Sequence, residues 1–194
     1  TVGRFHSIKQ YPFLFEVFAL VHARNPQARL VVVGHGEQEK ELRHLAKKLN
    51  IAPFIRWIIG KQAYGYYNLF DCFVLASHKE GISIALLEAM SLGIPSVVSD
   101  CSEGIRDLWQ LPVVDENNHK EGPPVLETAF GVLMPRIIEN SIAVEDWAQE
   151  VEKLLCDPGK RDGCSIACRH RAKRYDIDHV AELWSHVISP EVRA

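Results

Sequence analysis

Two rhythms of apolar residues alternate along the chain. Short runs rich in β-formers recur at residues 29–33, 54–59, 73–76, 96–100 and 130–134, and a truncated one opens the chain at residues 1–5. Between them, apolar residues fall mainly three and four apart. Phe13, Val17, Leu20 and Val21 form one such set, Leu42, Leu45, Ala46 and Leu49 a second. Ile84, Leu87 and Leu92 follow, then Val144, Trp147, Val151 and Leu154. The first rhythm predicts strands and the second predicts helices with one inward face. Gly93-Ile94-Pro95 and Asp157-Pro158 supply helix stops.

Six strand candidates interleaved with helices predict an α/β domain built on a doubly wound parallel sheet, because right-handed crossovers lay successive strands side by side. Residues 1–194 read as one domain. Residues 111–128 hold Pro112, Asp115, Asn117, Asn118, Gly122, Pro123 and Pro124 and follow neither rhythm, so they predict a loop insertion. Residues 143–188 read as C-terminal helices, the last with an apolar strip of Val180, Leu183, Trp184 and Val187.

Composition narrows the function. The chain has 194 residues, 47% hydrophobic and 24% charged, enough to bury a good core. A net charge of -3 argues against a general nucleic-acid or membrane-surface binder. No apolar run approaches the roughly 20 residues that span a bilayer, and no basic-then-apolar leader opens the chain. A cytoplasmic location is expected, with peripheral attachment at the inner face of the membrane left open. Cys72, Cys101, Cys156, Cys164 and Cys168 are odd in number and lack Cys-x-x-Cys spacing, so they read as buried or incidental thiols rather than metal ligands.

The chemistry concentrates between residues 73 and 100, which read strand, loop, helix, strand. Glu80-Gly81-Ile82-Ser83 falls beyond the carboxyl end of a strand, where open α/β sheets bind ligands. Gly81 lets a ligand approach the backbone, and a helix starting near Ser83 presents free N–H groups and a positive dipole end that suit a phosphate. Glu88 comes roughly 7 to 8 Å further along that helix. Two carboxylates so spaced suit a ligand with hydroxyls at both ends and a diphosphate between, which is the shape of a nucleotide sugar. Arg4 and Lys9 place two cations just after a strand end. Gly34-His35-Gly36 follows another strand, but Glu39 stands where a dinucleotide fingerprint needs its third glycine, so an NAD reading is weak.

Glu80 and Glu88, with seven residues between them, Gly81 after the first, Ala89-Met90 after the second and Gly93-Ile94-Pro95 beyond, resemble the signature of the retaining GT-B glycosyltransferases of family four. Gly3-Arg4, four residues, then Lys9 is similar to the opening of the C-terminal, donor-binding half of those enzymes, a Rossmann-like domain. The resemblance runs from Gly3 to the terminal helices. It implies that Arg4, Lys9 and Glu80 form the catalytic set, the two cations on the donor diphosphate and Glu80 on the donor sugar. Glu88 would take the ribose hydroxyls, and the N–H groups of Gly81, Ile82 and Ser83 the diphosphate. Gly34 and Lys61 would border the nucleotide. Departures from the family occur at Gln10, which replaces a Gly, at His35 and Glu37, at Ala76, which replaces a Pro, and across Gly104-Ile105-Arg106-Asp107.

The implied activity is transfer of a sugar from a UDP- or GDP-type donor to a carbohydrate or glycolipid acceptor, with retention of configuration and no metal or other cofactor, as in polysaccharide or lipopolysaccharide biosynthesis. An acceptor-binding N-terminal domain is expected ahead of Thr1, with the last helix crossing back to it, and this half alone is expected to be inactive. A non-catalytic nucleotide-sugar-binding module stays open as the alternative, on the altered turns at 34–37 and 104–107. Tyr64, Tyr66, Tyr67 and Phe70 are read as packing rather than as a stacking platform.

Overall fold

The computed structural model describes residues 1–60, 63–112, 125–137 and 144–188. Its strands are β1 (Leu30–Val33), β2 (Ile55–Ile58), β3 (Phe73–Leu75), β4 (Ser96–Ser99), β5 (Leu126–Thr128) and β6 (Gly131–Met134). β1 pairs with β2 in parallel, and β3, β4 and β6 pair in parallel with β5 antiparallel at the edge. The opening run forms one parallel bridge, Val2 to Val33, rather than a full strand. Thr1 lines one cavity with Leu30 and Val31 on one side and Cys72 and Val74 on the other, which places the opening segment between β1 and β3. The order is thus β2, β1, opening segment, β3, β4, β6. Strand order reverses between the opening segment and β3, and a crevice at such a reversal is where open sheets hold ligands.

Side-chain alternation explains why the strands read as continuous apolar runs. Val32, Val74, Val97 and Val132 face α1 (Tyr11–Arg24), α2 (Glu39–Lys48) and α5 (Val144–Cys156). Val33, Phe73, Leu75, Val98 and Leu133 face α3 (Ile84–Ser91), α4 (Glu103–Leu108) and α6 (Pro158–Ala172). Successive side chains point to opposite faces. With helices on both faces, neither set can be polar.

Three expectations need correction. β5 lies within the stretch read as an insertion: Leu126 pairs opposite Leu133 and Thr128 opposite Gly131. Three residues at a sheet edge are too few to show a period. Residues 113–124, the rest of that stretch, lie outside the described residues. Gly104-Ile105-Arg106-Asp107 is not a bare turn but part of α4, capped by Ser102, whose Oγ accepts from the Ile105 N–H at 3.2 Å. Helix α3 buries Leu86, Ala89 and Met90, whereas Ile84 is 62% exposed. Ile84 follows the N-cap directly and meets the open loop rather than the core.

The last helix, α7 (Ile177–Ile188), buries none of its residues, and Leu183, Trp184 and Val187 are all more than half exposed, so the expected apolar strip is there. No helix among the described residues is long and apolar enough to cross a membrane.

Candidate functional site

The reversal in strand order brings together two loops that are distant in sequence. The chain leaves the opening segment at Arg4, makes a 3-10 turn over Ser7–Lys9 and enters α1. It leaves β3 near Ala76 and loops through Gly81 into α3. The His78 N–H ties these loops by donating to the Ile8 carbonyl at 2.8 Å. Lys9 Nζ donates to Glu80 Oε1 at 2.6 Å, and Ser77 Oγ donates to the same oxygen at 2.6 Å. Ser77 is buried, and its carbonyl accepts from Ser99 Oγ at the end of β4. One Glu80 oxygen is therefore fixed from two sides. Among the described residues, no donor reaches the other.

Gln10, which replaces the family's glycine, holds φ at +52°. A left-handed turn is made here with an L side chain, a conformation that costs about 1–2 kcal/mol. Arg4 stands apart from Lys9. Its side chain is 73% exposed and faces Glu37 at 3.7 Å, an exposed pair that adds little stability and leaves the guanidinium accessible. Gly34 does its work inside the fold. At φ +147°, an added Cβ would lie 1.9 Å from the Gly3 carbonyl oxygen, so the glycine permits the opening segment to lie against β1. Gly36 has the same relation to the backbone of Phe5.

The loop before α3 is open on one side and braced on the other. A Cβ on Gly81 would meet nothing within 4 Å. Ser83 caps α3 by accepting from the Leu86 N–H at 3.4 Å. Among the described residues, none accepts a hydrogen bond from the amides of Gly81, Ile82 or Ser83. The brace comes from α4. Ser102 Oγ donates to the Gly81 carbonyl at 3.0 Å, and a Cβ on Gly104 would come within 2.5 Å of that same oxygen. Arg106 forms a two-pronged ion pair with Asp100, both buried, and donates to the Pro112 carbonyl at 3.1 Å, which holds α4 to the end of β4. Cys101 lies beside this cluster. Burial pushes its thiol up to about 11, so it stays protonated rather than nucleophilic.

Glu88 projects from α3 and accepts from the Tyr67 hydroxyl through Oε2 at 2.7 Å. Tyr67 is fully buried against Phe70 and Phe73, as the packing reading expects, whereas Tyr64 and Tyr66, read the same way, are exposed. Its contact with Glu88 was invisible from spacing. Lys61 lies outside the described residues. The arrangement thus joins a cation and a carboxylate where two loops meet, three backbone amides without an acceptor among the described residues at a helix start, and a second carboxylate one turn further on.

Residues 1–171 match the family described as Glycosyl transferases group 1. The chain belongs to that family. Among group 1 glycosyl transferases it is 32% identical over 197 aligned positions to an uncharacterized glycosyltransferase of Methanocaldococcus jannaschii, covering 96% of this chain and 48% of that protein. The chain spans about half the length of the curated relatives it matches. Its fold matches the pneumococcal O-GlcNAc transferase GtfA, solved with UDP and GlcNAc, at a TM-score of 0.79 and 16% identity, covering all of this chain and 35% of that one. It also matches a solved C-terminal domain of a group 1 family protein (LpcC) from Francisella tularensis, at a TM-score of 0.67 and 20% identity, over 91% of this chain and 85% of that one. The fold is the Rossmann-like half of the GT-B glycosyltransferases.

Proposed function

We propose that this chain is the donor-binding half of a retaining glycosyltransferase, which passes a sugar from a nucleoside diphosphate sugar to a carbohydrate or glycolipid acceptor. The observation that supports this best is the convergence, at the strand-order reversal, of Lys9, Glu80 and the Gly81–Ser83 amides, which have no acceptor among the described residues. Lys9 and the exposed Arg4 neutralise the diphosphate as it leaves, with the amides at the start of α3 adding to the effect. Charge stabilised as it develops lowers the barrier, whereas charge neutralised equally before and after does not.

Glu80 holds the donor sugar through its second oxygen. Two donors on Oε1 suit a holding carboxylate better than a covalent nucleophile. Glu88 accepts from the ribose hydroxyls. Gly34 borders the nucleotide by shaping the turn after β1. In this reading the cations and the helix end perform the neutralisation, and no metal is called for. The acceptor site lies on a further domain, which the exposed apolar strip of α7 would pack against.

Thermal-shift titration with UDP, GDP and ADP tests this reading in the wild type and in Arg4→Ala and Glu88→Ala. A nucleotide present at about a hundred times its dissociation constant stabilises the fold by roughly 2.7 kcal/mol. One of the three should raise the melting temperature, and both variants should lose the shift. If Glu88→Ala binds as tightly as the wild type, the ribose assignment fails.

A further inference from the structure

Tyr67 sits in the 3-10 turn Tyr64–Leu69 ahead of β3, with no exposed surface. Its ring packs edge-on to Phe70, centroids 5.4 Å apart, and lies 6.1 Å from the ring of Phe73. Only the hydroxyl leaves this apolar group. It stands 2.7 Å from Glu88 Oε2 and 3.1 Å from the Ala85 carbonyl. A phenol has one proton to give, and the nearer, charged acceptor takes it. Burial, then the hydrogen bond to Glu88 and lastly that carboxylate's charge raise this phenol far above the ordinary tyrosine range, so the donor is present throughout the working pH range.

We propose that Tyr67 is a positioning residue for Glu88, fixing the rotamer in which Oε1 accepts a ribose 2′-hydroxyl. The proposal rests on the ribose role given to Glu88 above. A free glutamate on a helix samples several staggered rotamers, and ordering it on binding weakens affinity. A phenol locked by two aromatic neighbours does that ordering in advance, so the ligand meets a carboxylate already in place. Because Tyr67 comes from a different loop than α3, it also couples the turn before β3 to the ligand.

Isothermal titration of the chain with UDP, GDP and ADP, and with their 2′-deoxy counterparts, tests this. The wild type should bind the ribonucleotide of its preferred base more tightly than the deoxy form. Tyr67→Phe keeps the ring packing and should fold, with its ligand-free melting temperature measured alongside. It should lose about tenfold in ribonucleotide affinity and little in deoxynucleotide affinity, so that the ratio moves toward one. Phe70→Leu keeps the hydroxyl but loosens one of the rings that lock it, and should move the ratio part of the way toward one. A folded Tyr67→Phe that discriminates as well as the wild type overturns the role of Tyr67 alone. A wild type that does not discriminate, with Glu88→Gln binding equally well, overturns the ribose reading and this proposal with it.

Discussion

Replacing Glu80 with Gln tests whether Lys9 is a phosphate-binding cation restrained by its neighbour. The ammonium and the carboxylate are 2.6 Å apart, and their side chains are only 19% and 11% exposed. At that distance the Coulomb attraction is about 1.6 kcal/mol in water and about 6 kcal/mol at an effective dielectric constant of about 20. After desolvation, a charge-assisted hydrogen bond of this kind contributes about 1.5–3 kcal/mol net. A diphosphate that recruits Lys9 must share or replace that bond while lying close to a negative Glu80. Gln keeps the shape of the side chain and an oxygen for Ser77, but removes the charge. Binding of a nucleoside diphosphate without its sugar should therefore tighten by about tenfold, or about 1.4 kcal/mol. The double variant with Lys9→Ala should show none of that gain, because the gain depends on the freed ammonium. Isothermal titration with UDP, GDP and ADP reads all three proteins. If Glu80→Gln folds normally and binds no more tightly than the wild type, the argument that Glu80 restrains Lys9 is wrong.

Other consequences follow from the same geometry. Gly104→Ala puts a Cβ within 2.5 Å of the Gly81 carbonyl oxygen. Such overpacking costs about 1–3 kcal/mol, and because it presses on the donor loop, nucleotide titration should show an affinity loss larger than the fall in melting temperature suggests. Gln10→Val should destabilise by about 1–2 kcal/mol in urea unfolding, since a β-branched residue tolerates the left-handed φ poorly, whereas Gln10→Gly should be neutral or slightly stabilising. Arg106→Met leaves Asp100 charged and buried without a partner, and an unfolding free energy lower by about 3–5 kcal/mol is expected.

Burial raises the Cys101 thiol to about 11 and the Cys168 thiol to about 12, against 9.0 in the unfolded chain. As pH rises above 9, the unfolded state loses these protons first, so stability falls between pH 9 and the folded values. The slope is up to about 1.4 kcal/mol per pH unit for each thiol. Cys168→Ala should show a shallower alkaline loss in urea midpoints compared at about pH 8 and about pH 10. An unchanged slope would remove that thiol from the account.

The sequence by itself determined where most of the sheet's strands lie and singled out the loop to which chemistry is assigned in the proposal. Both follow from local rules: strands covered on two faces must be apolar throughout, and a Glu-Gly loop at a helix start announces itself within ten residues. Helix faces were partly legible. Trp147 and Leu154 are buried as expected, but in α3 the face turned toward Leu86, Ala89 and Met90, because the position of Ile84 beside an open loop is a tertiary fact. β5 escaped because an antiparallel edge strand of three residues needs its partner to be recognised.

What only the tertiary structure decided is which distant groups meet. Lys9 and Glu80 are 71 residues apart and touch because strand order reverses between the opening segment and β3. Tyr67 was read correctly as packing, yet its one polar atom reaches Glu88 on a helix 21 residues away. Gly34 was assigned to the nucleotide's border, but the close approach that the glycines at 34, 36 and 104 permit became visible only when the backbones they admit came within contact distance. Periodicity reports how each segment meets its own solvent and core. The pairing of loops across a sheet depends on chain order in space, and no local pattern records that.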